Sequence, residues 1–194
     1  MIGRLFDVFS SEFLKQIIKD TEEKSRLKCK ECWCSTRDVL QARVDGYTME
    51  TEKYLGAAVI GEIGNNTFDH NWDFAEGYSR GTYLRFERQR SMVILADFGR
   101  GIRQSLKAVF YAEDDVKAVN VAFTQRLSGR APEQRGNGLK FVLESVARKK
   151  WSMYYQSGNG CCIVDRGNVI FTSSGLNVIG CLAILTFGGG SDEA

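Results

Sequence analysis

Apolar residues in the first part of the chain recur at helical spacing: Phe9, Phe13 and Ile17 form one row, Leu14 and Ile18 the next. Ser10 or Ser11 can cap this helix, and Glu12 stands in its first turn, where the helix dipole favours a negative charge. Such an amphipathic helix either packs on the rest of the chain or dimerises it. From about Glu50 a second helix is predicted to run to Asn71. The glycines at 77 and 81 then turn the chain into a strand in which Leu84 and Phe86 alternate with Arg85 and Glu87, a period of two that predicts one buried face. An almost wholly apolar run, Ser91–Ala96, predicts a second strand that ends at Asp97. Helical spacing returns over Ile102–Tyr111 and Asp115–Leu127, and again over Leu139–Lys149 after a polar loop, Ser128–Asn137. The remainder reads as strands: Trp151–Gln156, a turn at Ser157–Gly160, Cys161–Asp165, a turn at Arg166–Asn168, then Val169–Thr172 and Val178–Phe187.

Helices grouped with antiparallel-looking strands predict an α+β fold, a two-layer α/β sandwich with the sheet on one side and the helices on the other. Residues 1–49 read as an N-terminal helical extension and residues 50–194 as the main domain. With 43% hydrophobic residues, 26% charged residues and one proline in 194, the composition is that of one globular core and excludes disordered or collagen-like chains. Twenty-six basic against 24 acidic residues leave a formal charge of +2, which gives no field for nucleic acid or an anionic membrane. Gly167–Ser191 is uncharged and long enough to span a bilayer, but Thr172, Ser173, Ser174 and Asn177 interrupt it, so two buried strands are expected and no membrane partner. Arg4, Asp7 and Glu12 break any signal-peptide core, and with no disulfide pattern the expected compartment is the reducing cytoplasm.

A single histidine, His70, excludes sites built on several imidazoles. Cys29, Cys32 and Cys34 cluster but lack the fourth ligand and second CxxC of a structural zinc site, while Cys161, Cys162 and Cys181 lie on apolar, strand-like segments. Reduced thiols are the expectation.

Three segments carry candidate chemistry. In Gly61–Asn71, Glu62, Asn66, Asp69 and His70 share one helix face at about 100° per residue. From Leu55 to Phe68 Glu62 is the only charged side chain, so a buried carboxylate in need of a cation, a proton or a donor is expected. Gly56, Gly61 and Gly64 point to close approach of something to this helix. In the second segment, Asp97 ends a buried strand and is followed by Gly99 and Gly101; a carboxylate there can accept from an exocyclic amine such as adenine's, or simply begin a common strand-to-glycine turn. The third is Arg135-Gly136-Asn137-Gly138-Leu139, a glycine-rich helix start whose amides suit phosphate. Arg126, Arg130 and Arg135 beside it could clamp terminal phosphates or form a solvated loop.

The order of these segments, E-x-x-x-N (Glu62, Asn66), D-x-G-x-G (Asp97, Gly99, Gly101), G-x-G-L (Gly136, Gly138, Leu139) and a late strand threonine (Thr186), resembles the GHKL, or histidine-kinase-like, ATPase superfamily over about Glu50–Phe187. The resemblance implies the Bergerat fold and ATP with Mg²⁺ held beneath a lid, here Ser128–Arg135. It implies that Asn66 coordinates Mg²⁺, Asp97 reads adenine, Gly99 and Gly101 line the base pocket, and Thr186 supports the adenine end. Gly136, Asn137, Gly138 and Leu139, with Arg130 and Arg135, would contact phosphates, and Glu62 would act as general base. The spacing of Glu62, Asn66 and His70 is similar to that of anti-sigma-factor serine kinases, which implies a protein phosphoacceptor as partner. Two other readings belong to different classes: a non-catalytic ATP-gated interaction module, and a fragment of a DNA-topology or repair ATPase.

Overall fold

The computed structural model describes residues 9–70, 75–78, 80–126 and 137–188. Helix α1 (Ser11–Arg26) starts where the Ser10 hydroxyl accepts the Phe13 amide at 3.3 Å. A two-residue strand, β1 (Trp33–Cys34), leads to α2 (Arg37–Thr51), capped by the Thr36 hydroxyl on the Val39 amide at 3.3 Å. Glu52, at φ +56°, ends α2, and α3 (Tyr54–His70) follows. One helix from Glu50 was expected; the left-handed residue divides that stretch between two. Strands β2 (Thr82–Glu87) and β3 (Met92–Asp97) form an antiparallel pair joined through a 3-10 turn, Arg88–Arg90. The short α4 (Gly101–Leu106) stops well before the expected Tyr111, since Val109 and Tyr111 are exposed and offer no face to bury. Then come α5 (Asp115–Thr124), α6 (Gly138–Arg148), β4 (Ser152–Asp165) and β5 (Asn168–Thr186).

The five strands form one antiparallel sheet in the order β1-β2-β3-β5-β4. Two of the sequence readings of its C-terminal half are corrected. Ser157–Gly160 does not reverse the chain but interrupts the β4–β5 register as a bulge, and the apolar runs after Asn168 belong to one strand. The glycines there serve packing: Asn159 donates its amide to Asp115 at the start of α5 at 3.1 Å, and a Cβ on Gly160 would lie 2.7 Å from the Val116 nitrogen. The reversal falls at Arg166 and Gly167, whose φ values of +48° and +87° suit a tight two-residue hairpin turn.

Side-chain alternation divides the sheet between two cores. Val93, Leu95, Tyr155, Ala183 and Leu185 face α2, α3, α5 and α6, which contribute Leu40, Ile60, Phe123 and Val142 among others. Met92, Ile94, Tyr154 and Ile184 face the other way, where Phe9, Leu14 and Ile17 cover them. Helix α1 therefore packs on its own chain, and β3 is apolar from Met92 to Ala96 because both faces are covered. Of the two charged residues on that face of β2, Arg85 meets Asp20 of α1 at 3.0 Å and also pairs with the other, Glu87. The first fifty residues thus supply a strand and two helices to a fold that is mixed α+β, with four helices layered on one face of its sheet.

Candidate functional site

Parity along β3 decides where Asp97 points. Val93 and Leu95 face the helical layer, so Asp97, two residues on, faces it too. Its carboxylate is buried at 6% exposure: Oδ1 accepts the Gly99 amide at 3.0 Å, and Oδ2 accepts the Thr67 hydroxyl of α3 at 3.4 Å. Behind it, Gly180 of β5 adopts φ +71°, and a Cβ there would overlap the Asp97 carbonyl and stand 2.6 Å from Oδ1. Ser157 holds this corner together, accepting the Ile102 amide at 2.9 Å and donating to the Gly180 carbonyl at 2.8 Å. Gly101, at φ +73°, leaves room for that hydroxyl, since a Cβ would lie 2.8 Å from it. Gly99 lends an amide and Gly101 lends space.

A cavity of about 10 Å³ adjoins Asp97, lined among others by Ile63, Thr67, Thr82, Leu95 and Tyr155. That is room for about one water, against hundreds of Å³ for a small-molecule pocket. A purine reaches Asp97 only if the elements around it part. Burial, and after it the Asp97 carboxylate, pushes the Cys181 thiol up; burial, and after it Cys181, pushes the Tyr155 phenol well up. Both stay protonated at neutral pH, so the groups beside the carboxylate are donors, not competing anions.

Helix α3 buries Ile60, Ile63, Thr67 and Phe68 and leaves Tyr54, Ala58 and Glu62 as its open stripe. Glu62 is exposed, which corrects the expected buried carboxylate. The stretch lacks other charges because α2, α6 and the sheet pack around it, while the Glu62 arc stays open. Two of its glycines serve the same packing: a Cβ on Gly64 would lie 2.7 Å from Leu40 of α2, and one on Gly56 would lie 3.3 Å from the Phe187 ring; Gly61 faces open space. Asp69 is engaged by Arg37 of α2 at 2.7 Å. The His70 side chain lies outside the described residues.

What α3 leaves open is amide chemistry. Asn66 Nδ2 and Asn65 Oδ1 are buried and find no hydrogen-bond partner among the described residues. An orphaned buried polar atom costs about 1–3 kcal/mol, an incentive for a ligand or water to satisfy it. One turn back, Glu62 reaches the start of α6, where a Cβ on Gly138 would overlap its carboxylate. Asn137 caps α6 without a side-chain hydrogen bond, and the helix dipole presents its positive end there. The Leu139 side chain belongs to the core, leaving only its backbone for a ligand. Arg130, Arg135 and Gly136, with the expected lid, lie outside the described residues.

Thr186 is not brought to this corner. It pairs with Met92, five ladder positions from the Asp97–Cys181 pair and roughly 17 Å away at strand rise. Its parity matches Leu182 and Ile184, so it also faces the α1 side. Among the described residues, the Thr67 hydroxyl bonds Asp97, the Tyr155 phenol shares its cavity, and Ser157 ties down the adjoining Gly180. Thr67 could have been found from its place one residue after Asn66; Ser157 and Gly180 carry no local signal, because their partners are remote in sequence.

No group of three or more His, Cys, Asp or Glu gathers to hold a metal among the described residues. A divalent ion at Asn66 would depend on oxygens from its ligand, as Mg²⁺ bound with a nucleotide does. Half a turn of the amide exchanges Nδ2 for the Oδ1 such an ion needs. The orphaned amide and the acceptor at Asp97 are polar groups of the kind a purine nucleotide with its cation needs, the base entering only where the elements around Asp97 part. Comparison with protein-family models and with characterised proteins gives no match for this chain.

Proposed function

We propose that the chain is a Mg²⁺-ATP-binding domain of the histidine-kinase-like ATPase type, which hydrolyses ATP or passes its γ-phosphate to a partner protein. The observation that carries the reading is that two distant segments meet one helix: Thr67 of α3 touches Asp97, Glu62 of the same helix meets Gly138 at the start of α6, and the Asn66 amide, without a partner among the described residues, lies between them in sequence. Asp97 would accept the exocyclic amine of adenine, a contact that a guanine carbonyl would repel. Asn66 would hold the magnesium ion, and the amides of Gly138 and Leu139 would receive phosphate oxygens at the helix terminus. Bound Mg²⁺-ATP supplies a phosphoryl group made electrophilic by charge neutralisation. Glu62 would take the proton of a water or of a protein hydroxyl.

The exposure of Glu62 favours a second reading, a non-catalytic ATP-gated interaction module, since a general base works best once water is excluded. Titration calorimetry with Mg²⁺-ATP and Mg²⁺-GTP, paired with phosphate release and transfer assays, separates these. Binding of ATP over GTP that Asp97→Asn weakens at least tenfold, with turnover lost in Glu62→Ala but binding kept, supports the enzyme. Binding without turnover supports the module, and no binding of adenine nucleotides at millimolar concentration ends both.

A further inference from the structure

Outside the corner at Asp97, the turn that follows α1 sets two thiols side by side. Helix α1 closes with the Lys28 amide on the Ser25 carbonyl at 3.1 Å and the Cys29 amide on the Lys24 carbonyl at 3.0 Å, with Lys28 at φ +48°, a Schellman closure. The chain then doubles back on the Cys29 carbonyl, which accepts the Cys32 amide at 3.0 Å and the Trp33 amide at 2.8 Å. Such an i to i+3 turn brings its end residues within about 7 Å, and a disulfide needs roughly 4.4–6.8 Å between Cα atoms. Both side chains face the same core beneath α1, whereas Cys34 belongs to the core on the opposite face of the sheet. The two differ in access: Cys29 is partly exposed and Cys32 is buried at 7%. All six cysteines of the chain are free thiols, and no third ligand joins this pair to make a metal site among the described residues.

We infer that Cys29 and Cys32 form a dithiol modification site that takes a low-molecular-weight disulfide, Cys29 attacking first and Cys32 resolving. The order follows from access, since thiol–disulfide exchange requires approach to the attacking sulfur. The Cys29 thiolate attacks one sulfur of the small disulfide, whose S–S bond breaks and releases one thiolate, leaving a mixed disulfide. Cys32 gives its proton to water and attacks Cys29 Sγ, and the second small thiolate leaves. Two protein thiols are oxidised and one small disulfide is reduced to two thiols. The new bond ties the end of α1 to the point where the chain joins the sheet, because the Cys32 carbonyl already accepts the Leu84 amide at 2.7 Å.

The test equilibrates reduced, chelator-treated protein with glutathione buffers of rising oxidised fraction, then maps the sulfurs by alkylation and mass spectrometry. The wild type is expected to lose two hydrogens, to retain no glutathione and to carry a Cys29–Cys32 bond. Cys32→Ser is expected to accumulate a glutathione adduct at Cys29, and Cys29→Ser none at Cys32. Six alkylated thiols at every ratio, a bond to Cys34, or a persistent adduct on wild-type Cys29 without an internal bond would overturn the assignment. So would stoichiometric zinc, added back, that blocks oxidation. The wild-type map decides the matter even where a variant folds poorly.

Discussion

A β-carbon at position 180 has nowhere to go. It would need a positive φ, which costs a non-glycine residue about 1–2 kcal/mol, and it would push into the main chain of Asp97. Gly180→Ala should therefore lower stability by about 1–3 kcal/mol and, on the proposed function, cut ATP affinity by more than the modest unfolding explains. Gly175→Ala, at an open position in the same strand, should change neither. Urea unfolding and calorimetry on the pair check this, and equal behaviour of the two variants would remove Gly180 from the support of Asp97. At this scale the sequence was legible where a residue's partner is near in the chain. Asp97 and its two glycines read correctly as a strand end with a glycine turn, because Gly99 and Gly101 are local to it. Gly180 and Ser157 were invisible, since what they touch lies on another strand. Thr186 does not reach the site the sequence pattern assigns it, because nothing local fixes the register of β5 against β3. The lack of neighbouring charge predicts a buried Glu62, although charge content reports the packing of α3 as a whole and not the exposure of one arc.

Among elements, α1 shows what patterning can and cannot deliver. Its row of Phe9, Phe13 and Ile17 announced an amphipathic helix, yet an apolar stripe fits a second chain as well as its own. The two-sided burial of β3 settles the matter, for Ile94 and Ile184 need a cover and Leu14 and Ile17 provide it. Ile17→Ala should then cost about 2–4 kcal/mol, as a core truncation does, and the protein should still unfold in one transition. A loss under about 0.5 kcal/mol in urea, the range of surface substitutions, would show that α1 is an appendage. The bulge at Ser157–Gly160 teaches the complementary lesson. A Ser-Gly-Asn-Gly run is a turn by local propensity, but the docking of α5 uses the missing side chains to bend a strand instead, so tertiary contact overrides the turn signal.

For the molecule as a whole, a sheet covered on both faces concentrates thiols and phenols where their charged forms are disfavoured, and this sets the alkaline limit of the fold. Burial, set against the Arg43 cation, raises the Cys34 thiol from 9.0 to about 11, and burial raises Cys162 and Cys181 further. The phenols of Tyr83, Tyr154 and Tyr155 are likewise raised by burial above their ordinary 10.0. In each case the unfolded chain gives up its proton at a lower pH than the native one. Between the two values the native state binds more protons than the unfolded state, so stability falls as pH rises. The contribution is fully present below pH 9 and disappears for Cys34 as pH approaches about 11. Each thiol ionised only in the unfolded chain removes about 1.4 kcal/mol per pH unit above its ordinary 9.0, so the three together remove roughly 6 kcal/mol by about pH 10.5. That is a large part of the 5–15 kcal/mol typical of a domain. The urea midpoint under reducing conditions should hold steady to pH 8 and then fall steeply, with an unchanged m-value. Cys162→Ala should lose stability at neutral pH and show a shallower alkaline slope, by one thiol's share. A midpoint that stays flat through pH 10.5 would mean that these thiols reach water in the folded protein, contrary to the two-sided burial of the sheet.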